Sequence, residues 1–103
     1  MLYAFTQTIP ITMDIYDQIT AELGSDLPQG LVVHVVSATD GGLQYLDVWD
    51  SEADCDRFVE QRLHPAIGRV FARAHFQPPA EEPLRLPVDV RQVWAASGAG
   101  IKV

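Results

Sequence analysis

An α+β fold, with two helices covering one face of a four-stranded antiparallel sheet, is predicted by three observations. Apolar, β-branched runs alternate with amphipathic stretches in the order β-α-β-β-α-β. A Thr39-Asp40-Gly41-Gly42 turn joins two of the strands directly, so that pair must be antiparallel. The 103 residues carry 48% hydrophobic and 20% charged side chains, enough apolar material for one core and too little length for two.

Residues 2–9 are rich in aromatic and β-branched side chains and stop at Pro10, which predicts the first strand. Thr12 is the expected N-cap of a short helix, because Ile15, Ile19 and Leu23 recur every four residues with Tyr16 beside them, and Gly24 supplies the stop. Residues 25–30, with Pro28 and Gly30, lead into the strand Leu31-Val32-Val33-His34-Val35-Val36. Asp40-Gly41 suits a type I′ turn, and Leu43–Trp49 returns as its partner.

Ser51 is the expected cap of a long second helix, with Asp54 as an imperfect capping-box partner. Its apolar stripe runs from Cys55 through Phe58, Val59, Leu63, Ile67, Val70 and Phe71 to Ala74, past Pro65, so a kink is expected at His64 and Pro65. Residues 77–87 hold Pro78, Pro79, Pro83 and Pro87 and read as an extended connection. Val88–Ala95 reads as the last strand and 96–103 as a loose tail. The whole, 1–103, is then a single domain with the split βαβ order of ferredoxin-like folds.

Two helices cover one sheet face only, so the other must meet water or a partner. The two sets of strand side chains, Leu31, Val33, Val35, Leu46 and Val48 on one face and Val32, His34, Val36, Leu43, Tyr45, Asp47 and Trp49 on the other, both want burial. Whichever is left open is too apolar for water, which predicts a homodimer formed through the open face.

Charge excludes other partners. Seven basic residues against fourteen acidic ones give a net charge of -7, which disfavours nucleic acid and anionic membrane surfaces. Residues 1–56 hold ten acids and no Lys or Arg, while the remainder holds all seven bases, so head-to-tail or two-fold pairing is one reading and a solvated acidic face the other. The single cysteine cannot form an intramolecular disulfide, and the N-terminal residues lack a basic, apolar leader pattern. A cytoplasmic protein is expected.

A two-residue Asp40-Gly41 turn places His34 opposite Asp47, Val36 opposite Tyr45 and Val32 opposite Trp49, so His34, Asp47, Tyr45 and Trp49 share one face. A carboxylate beside an imidazole fixes its tautomer and prepares it as a general base. The same pair can instead be a mutually satisfied structural one. Tyr45 and Trp49 could stack on a planar ligand or simply fill the core.

Other chemistry is poorly supported. His64 and His75 lack the companions of a zinc set, so no metal is expected. Cys55 lies on an apolar stripe with no adjacent His, and Arg62, Arg69 and Arg73 read as a solvated ridge.

The string Leu46-Asp47-Val48-Trp49-Asp50-Ser51-Glu52-Ala53, leading into Phe58-Val59, resembles the strand-to-helix passage of the dimeric α/β-barrel superfamily, particularly its antibiotic-biosynthesis-monooxygenase-like branch. The resemblance implies that two ferredoxin-like subunits join their sheets into a barrel. Members range from cofactor-free oxygenases and haem-degrading enzymes to isomerases and proteins without known activity. Trp49 matches a Trp that lines the cleft between sheet and helices in the haem-degrading branch. That branch also uses an Asn on strand 1 and a His on helix 2. This chain has no Asn, and Phe58 or Val59 stands at the His position, which argues against haem degradation.

Two functions follow from this reading. One is a homodimer that binds a small apolar, aromatic molecule between Tyr45 and Trp49, with His34 as base and Asp47 orienting it, as a cofactor-free monooxygenase or isomerase. The other is a non-enzymatic dimeric module whose cleft is filled by its own side chains.

Overall fold

The structure, a computed structural model, describes residues 2–77 and 82–94. Strand β1 (Tyr3–Ile9) is followed by helix α1 (Met13–Leu23), strands β2 (Leu31–Thr39) and β3 (Gly42–Trp49), helices α2 (Glu52–Phe58) and α3 (His64–Ala74) and a short β4 (Leu86–Pro87). The strands lie in the order β2-β3-β1-β4, all pairs antiparallel. This is the expected α+β, ferredoxin-like architecture.

The caps fall where the side chains demand them. The Thr12 hydroxyl accepts from Ile15 N at 3.2 Å and the Ser51 hydroxyl from Asp54 N at 3.1 Å. Gly24 ends α1 at φ 84°, where a Cβ would be strained. The hairpin pairs Thr39 with Gly42 as expected, but the turn is not type I′. Neither Asp40 nor Gly41 has positive φ; that conformation falls on Gly42, at φ 144°, whose α-carbon packs against the Ile9 carbonyl.

At the expected kink the long helix changes its hydrogen-bond pattern: a π-helical turn over Val59–Leu63, with His64 N donating to Val59 O, precedes Pro65, the second residue of α3.

Strand β4 is earlier and shorter than expected. Phe5 pairs with Pro87 and Thr6 with Leu86, so the register runs off the N-terminal end of β1 soon after Val88 N donates to Ala4 O at 3.0 Å. Residues 90–94 therefore have no strand to pair with, and Trp94 is 88% exposed. Pro87 is tolerated because β4 is an edge strand. Ala95, the 96–103 tail, and Pro78 and Pro79 of the proline-rich connection lie outside the described residues.

Two apolar clusters sit between sheet and helices. Ile11, Ile15, Ile19, Leu43, Val70 and Phe71 form the larger, and Phe5, Trp49 and Cys55 the smaller. On the other sheet face Val35, Leu46, Thr6 and Leu86 form one row across all four strands. Val35 and Leu86, at its two ends, are 47% and 57% exposed.

Candidate functional site

The hairpin register brings His34 opposite Asp47, and Phe5 and Pro87 extend the same row, so one line of side chains crosses β2, β3, β1 and β4 on the helix-facing side. Val36 pairs with Tyr45 as expected. A β-bulge at Val32 changes the end of the hairpin: Leu31, not Val32, lies opposite Trp49.

His34 Nδ1 lies 2.5 Å from Asp47 Oδ1, and Trp49 Nε1 donates to Asp47 Oδ2 at 3.2 Å. With both carboxylate oxygens accepting, the neutral imidazole of His34 carries its proton on Nδ1 and offers Nε2 as an acceptor. The Tyr16 hydroxyl, 2.8 Å away, donates to that nitrogen. The result is a directed chain, Tyr16 to His34 to Asp47, with Trp49 holding the far oxygen. Asp47 is 8% exposed, and its buried carboxylate is fully partnered.

Tyr16 comes from α1, and sequence reasoning missed it. It lies beside the Ile15, Ile19, Leu23 stripe as one more half-buried aromatic, and no local pattern says which strand that face meets. Its ring lies 5.7 Å from Tyr45, whose ring lies 5.0 Å from His34. Burial, with Asp47 nearby, pushes the Tyr16 phenol up to about 12 and raises Tyr45 as well. Both stay protonated at neutral pH.

These groups open onto a cavity of about 440 Å³ between sheet and helices, walled by Phe5, Trp49, Phe58, Val59 and Ile67. Trp49 is 1% exposed and packs on Phe58 with ring centroids 5.6 Å apart. Besides lining the cavity it anchors Asp47. Arg85 also lines the cavity; it lies in the segment read from sequence as a mere connection.

The remaining candidates take structural places. Cys55 is buried, and desolvation pushes its thiol up to about 11 despite the Arg85 cation nearby, so it is a poor nucleophile. His64 pairs with Glu82 at 2.8 Å. Among the described residues no group of three or more His, Cys, Asp or Glu could hold a metal. The arginine ridge is divided: Arg69 pairs with Glu22 at 2.7 Å, Arg73 approaches the same carboxylate, and Arg62 Nη2 donates to the Leu23 and Asp26 carbonyls. The acidic first half and the basic second half thus meet within the subunit at Glu22. Among the described residues no helix is long and apolar enough to cross a membrane.

No family profile and no curated protein matches the chain. Among solved structures it is similar to a Chloroflexus aurantiacus J-10-fl protein provisionally described as an antibiotic biosynthesis monooxygenase, with a TM-score of 0.55 at 18% identity. The match covers 89% of this chain and 98% of the other. Nearly the whole chain therefore shares the ferredoxin-like fold of that monooxygenase-like protein.

Proposed function

We propose that the protein is a cytoplasmic homodimer, joined through its open sheet faces, in which each subunit binds a small, mostly apolar, aromatic molecule beside Trp49 and takes a proton from it. The observation that carries this reading is the hydrogen-bonded chain from Tyr16 through His34 to Asp47 on the wall of a cavity. Its volume, about 440 Å³, lies above the ~300 Å³ at which ligand sites generally begin, and this favours a ligand over a cleft filled by the protein's own side chains.

The geometry refines the role of His34. Its Nε2 is engaged by Tyr16, so the oxygen of Tyr16 is the group with lone pairs left for the ligand. A ligand hydroxyl gives its proton to Tyr16 as the phenol proton passes to His34 Nε2. The products are a ligand anion and an imidazolium held by Asp47. An electron-rich anion of this kind can react with oxygen directly, without a cofactor, or begin an isomerisation. The monooxygenase description of the structural neighbour favours oxygenation.

Titration of the purified protein with flat phenols and quinones, followed by Trp fluorescence, tests the binding step. Saturable quenching should survive Trp94→Phe and vanish in Trp49→Phe. Failure of the whole panel to quench Trp49 removes the proposal.

A further inference from the structure

The row His34, Asp47, Phe5, Pro87 spans four strands, and three strand spacings of about 4.8 Å separate its ends by about 14 Å. The Tyr16 and His34 acceptor is at one end. At the other, two residues before Pro87, stands Arg85, which lines the cavity beside Phe5. Its guanidinium lies 5.2 Å from the Phe5 ring centroid and 5.9 Å from that of Tyr3. It donates to Tyr3 Oη at 3.1 Å and to Asp56 Oδ1 at 2.8 Å.

Both of those bonds use Nη1, and neither uses the Nε–Nη2 edge, the one that forms paired hydrogen bonds with a carboxylate. Tyr3, Phe5 and Asp56 hold the plane of the fork, so little side-chain entropy is left to lose on binding. Arg62, the other guanidinium on the cavity wall, has its Nη2 committed to two backbone carbonyls. Between Arg85 and Tyr16 the wall carries the aromatic side chains of Phe5, Trp49 and Tyr45; the polar groups among them are Asp47, whose two oxygens are taken by His34 and Trp49, and Gln7, which donates to Pro83 O. A single planar cation at the end of such a wall fits a carboxylate better than a phosphate, which calls for several donors.

We propose that Arg85 is an anion anchor and that the ligand is an elongated aromatic acid, its carboxylate on Arg85 and its hydroxyl end at Tyr16. This rests on the reading of the cavity as a ligand site. It adds that the molecule is charged at one end and lies across the strands, from β4 toward β2.

Isothermal titration at neutral pH with 6-hydroxy-2-naphthoate and with 6-hydroxy-2-naphthamide tests it. The two probes share shape and hydroxyl and differ in charge at the Arg85 end. Wild-type protein should bind the acid at least about tenfold more tightly than the amide, because charge-assisted paired bonds exceed a neutral one by that much. Arg85→Gln should bring the acid to the level of the amide and weaken the amide far less than the acid, while Arg85→Lys keeps the charge and part of the preference. If Arg85→Gln fails to fold, the wild-type ratio and Arg85→Lys still decide. Equal affinities in the wild type overturn the anchor and leave the cavity as a neutral site, whereas no binding of either probe overturns the cavity reading and the anchor with it.

Discussion

Tyr16 reaches from α1 across to His34 on β2, its hydroxyl 2.8 Å from Nε2, and so closes the open end of the His34–Asp47 pair. The contact joins a helix to an edge strand, so the proton acceptor of the cavity is shared between two elements that meet only in the folded chain. His34 by itself presents no free nitrogen to the ligand, because Asp47 holds Nδ1 and Tyr16 holds Nε2.

The phenol should titrate late. Burial raises Tyr16 to about 12 and Tyr45 in the same direction, against an ordinary value near 10. Absorbance titration at alkaline pH should therefore show a delayed phase that shrinks in Tyr16→Phe. Ionisation of all tyrosines near pH 10 would show that Tyr16 is solvated, and would detach it from His34.

Removing His34 and removing the Tyr16 hydroxyl should cost stability by different amounts. His34→Ala leaves the Asp47 carboxylate, 8% exposed, with only the Trp49 indole on it, a loss of about 1 to 3 kcal/mol. Tyr16→Phe removes one bond at the half-buried end of the chain and should cost only about 1 kcal/mol. Urea denaturation of both variants checks the order. Proton-transfer turnover should fall severely in each, and a fully active Tyr16→Phe would return the base role to His34 alone.

How far this site was legible in the sequence depends on the range of each contact. His34 and Asp47 could be paired because a two-residue turn fixes the register of a hairpin, and the pairing from His34 to Thr39 follows it. The bulge at Val32 could not be read. The run Leu31-Val32-Val33 is apolar on both faces, so no alternation marks where the phase slips. Tyr16 and Arg85 belong to segments whose placement is decided by packing across the sheet. The misplaced last strand has the same origin: Val88, Val90 and Val93 suit a strand, yet its length is set by how much of β1 remains beyond Phe5.

Cys55 gives the protein an alkaline limit. The folded state keeps the thiol proton up to about 11, whereas an exposed thiol loses it near 8.5. Between those values the unfolded chain binds fewer protons than the folded one, so the stability that burial of the neutral thiol provides is complete below about 8.5 and is lost as pH rises toward 11. Denaturation midpoints measured from pH 8 to 10, below the tyrosine titrations, should decline, and the decline should flatten in Cys55→Ala. Maleimide should label Cys55 slowly in the native protein and rapidly in urea. Equal labelling rates would place the thiol in solvent.

The proposed dimer can be tested without touching the cavity, because the two sheet faces carry different residues. Val35 and Leu86 point away from the helices, on the row completed by Leu46 and Thr6, and both are substantially exposed in the single subunit. Burying side chains of this size contributes about 1.5 to 3 kcal/mol each, so a row facing its copy supplies a real share of an association energy. A carboxylate placed there would instead be buried in an apolar interface without a partner, which is strongly unfavourable. Sedimentation equilibrium should give twice the chain mass for the wild type and the chain mass for Val35→Asp. An exposed edge-strand valine contributes little to the subunit's own core, so the variant should keep its secondary structure by circular dichroism. A wild type that sediments as a monomer at micromolar concentration, or a Val35→Asp variant that remains dimeric, would show that the open face is not the interface.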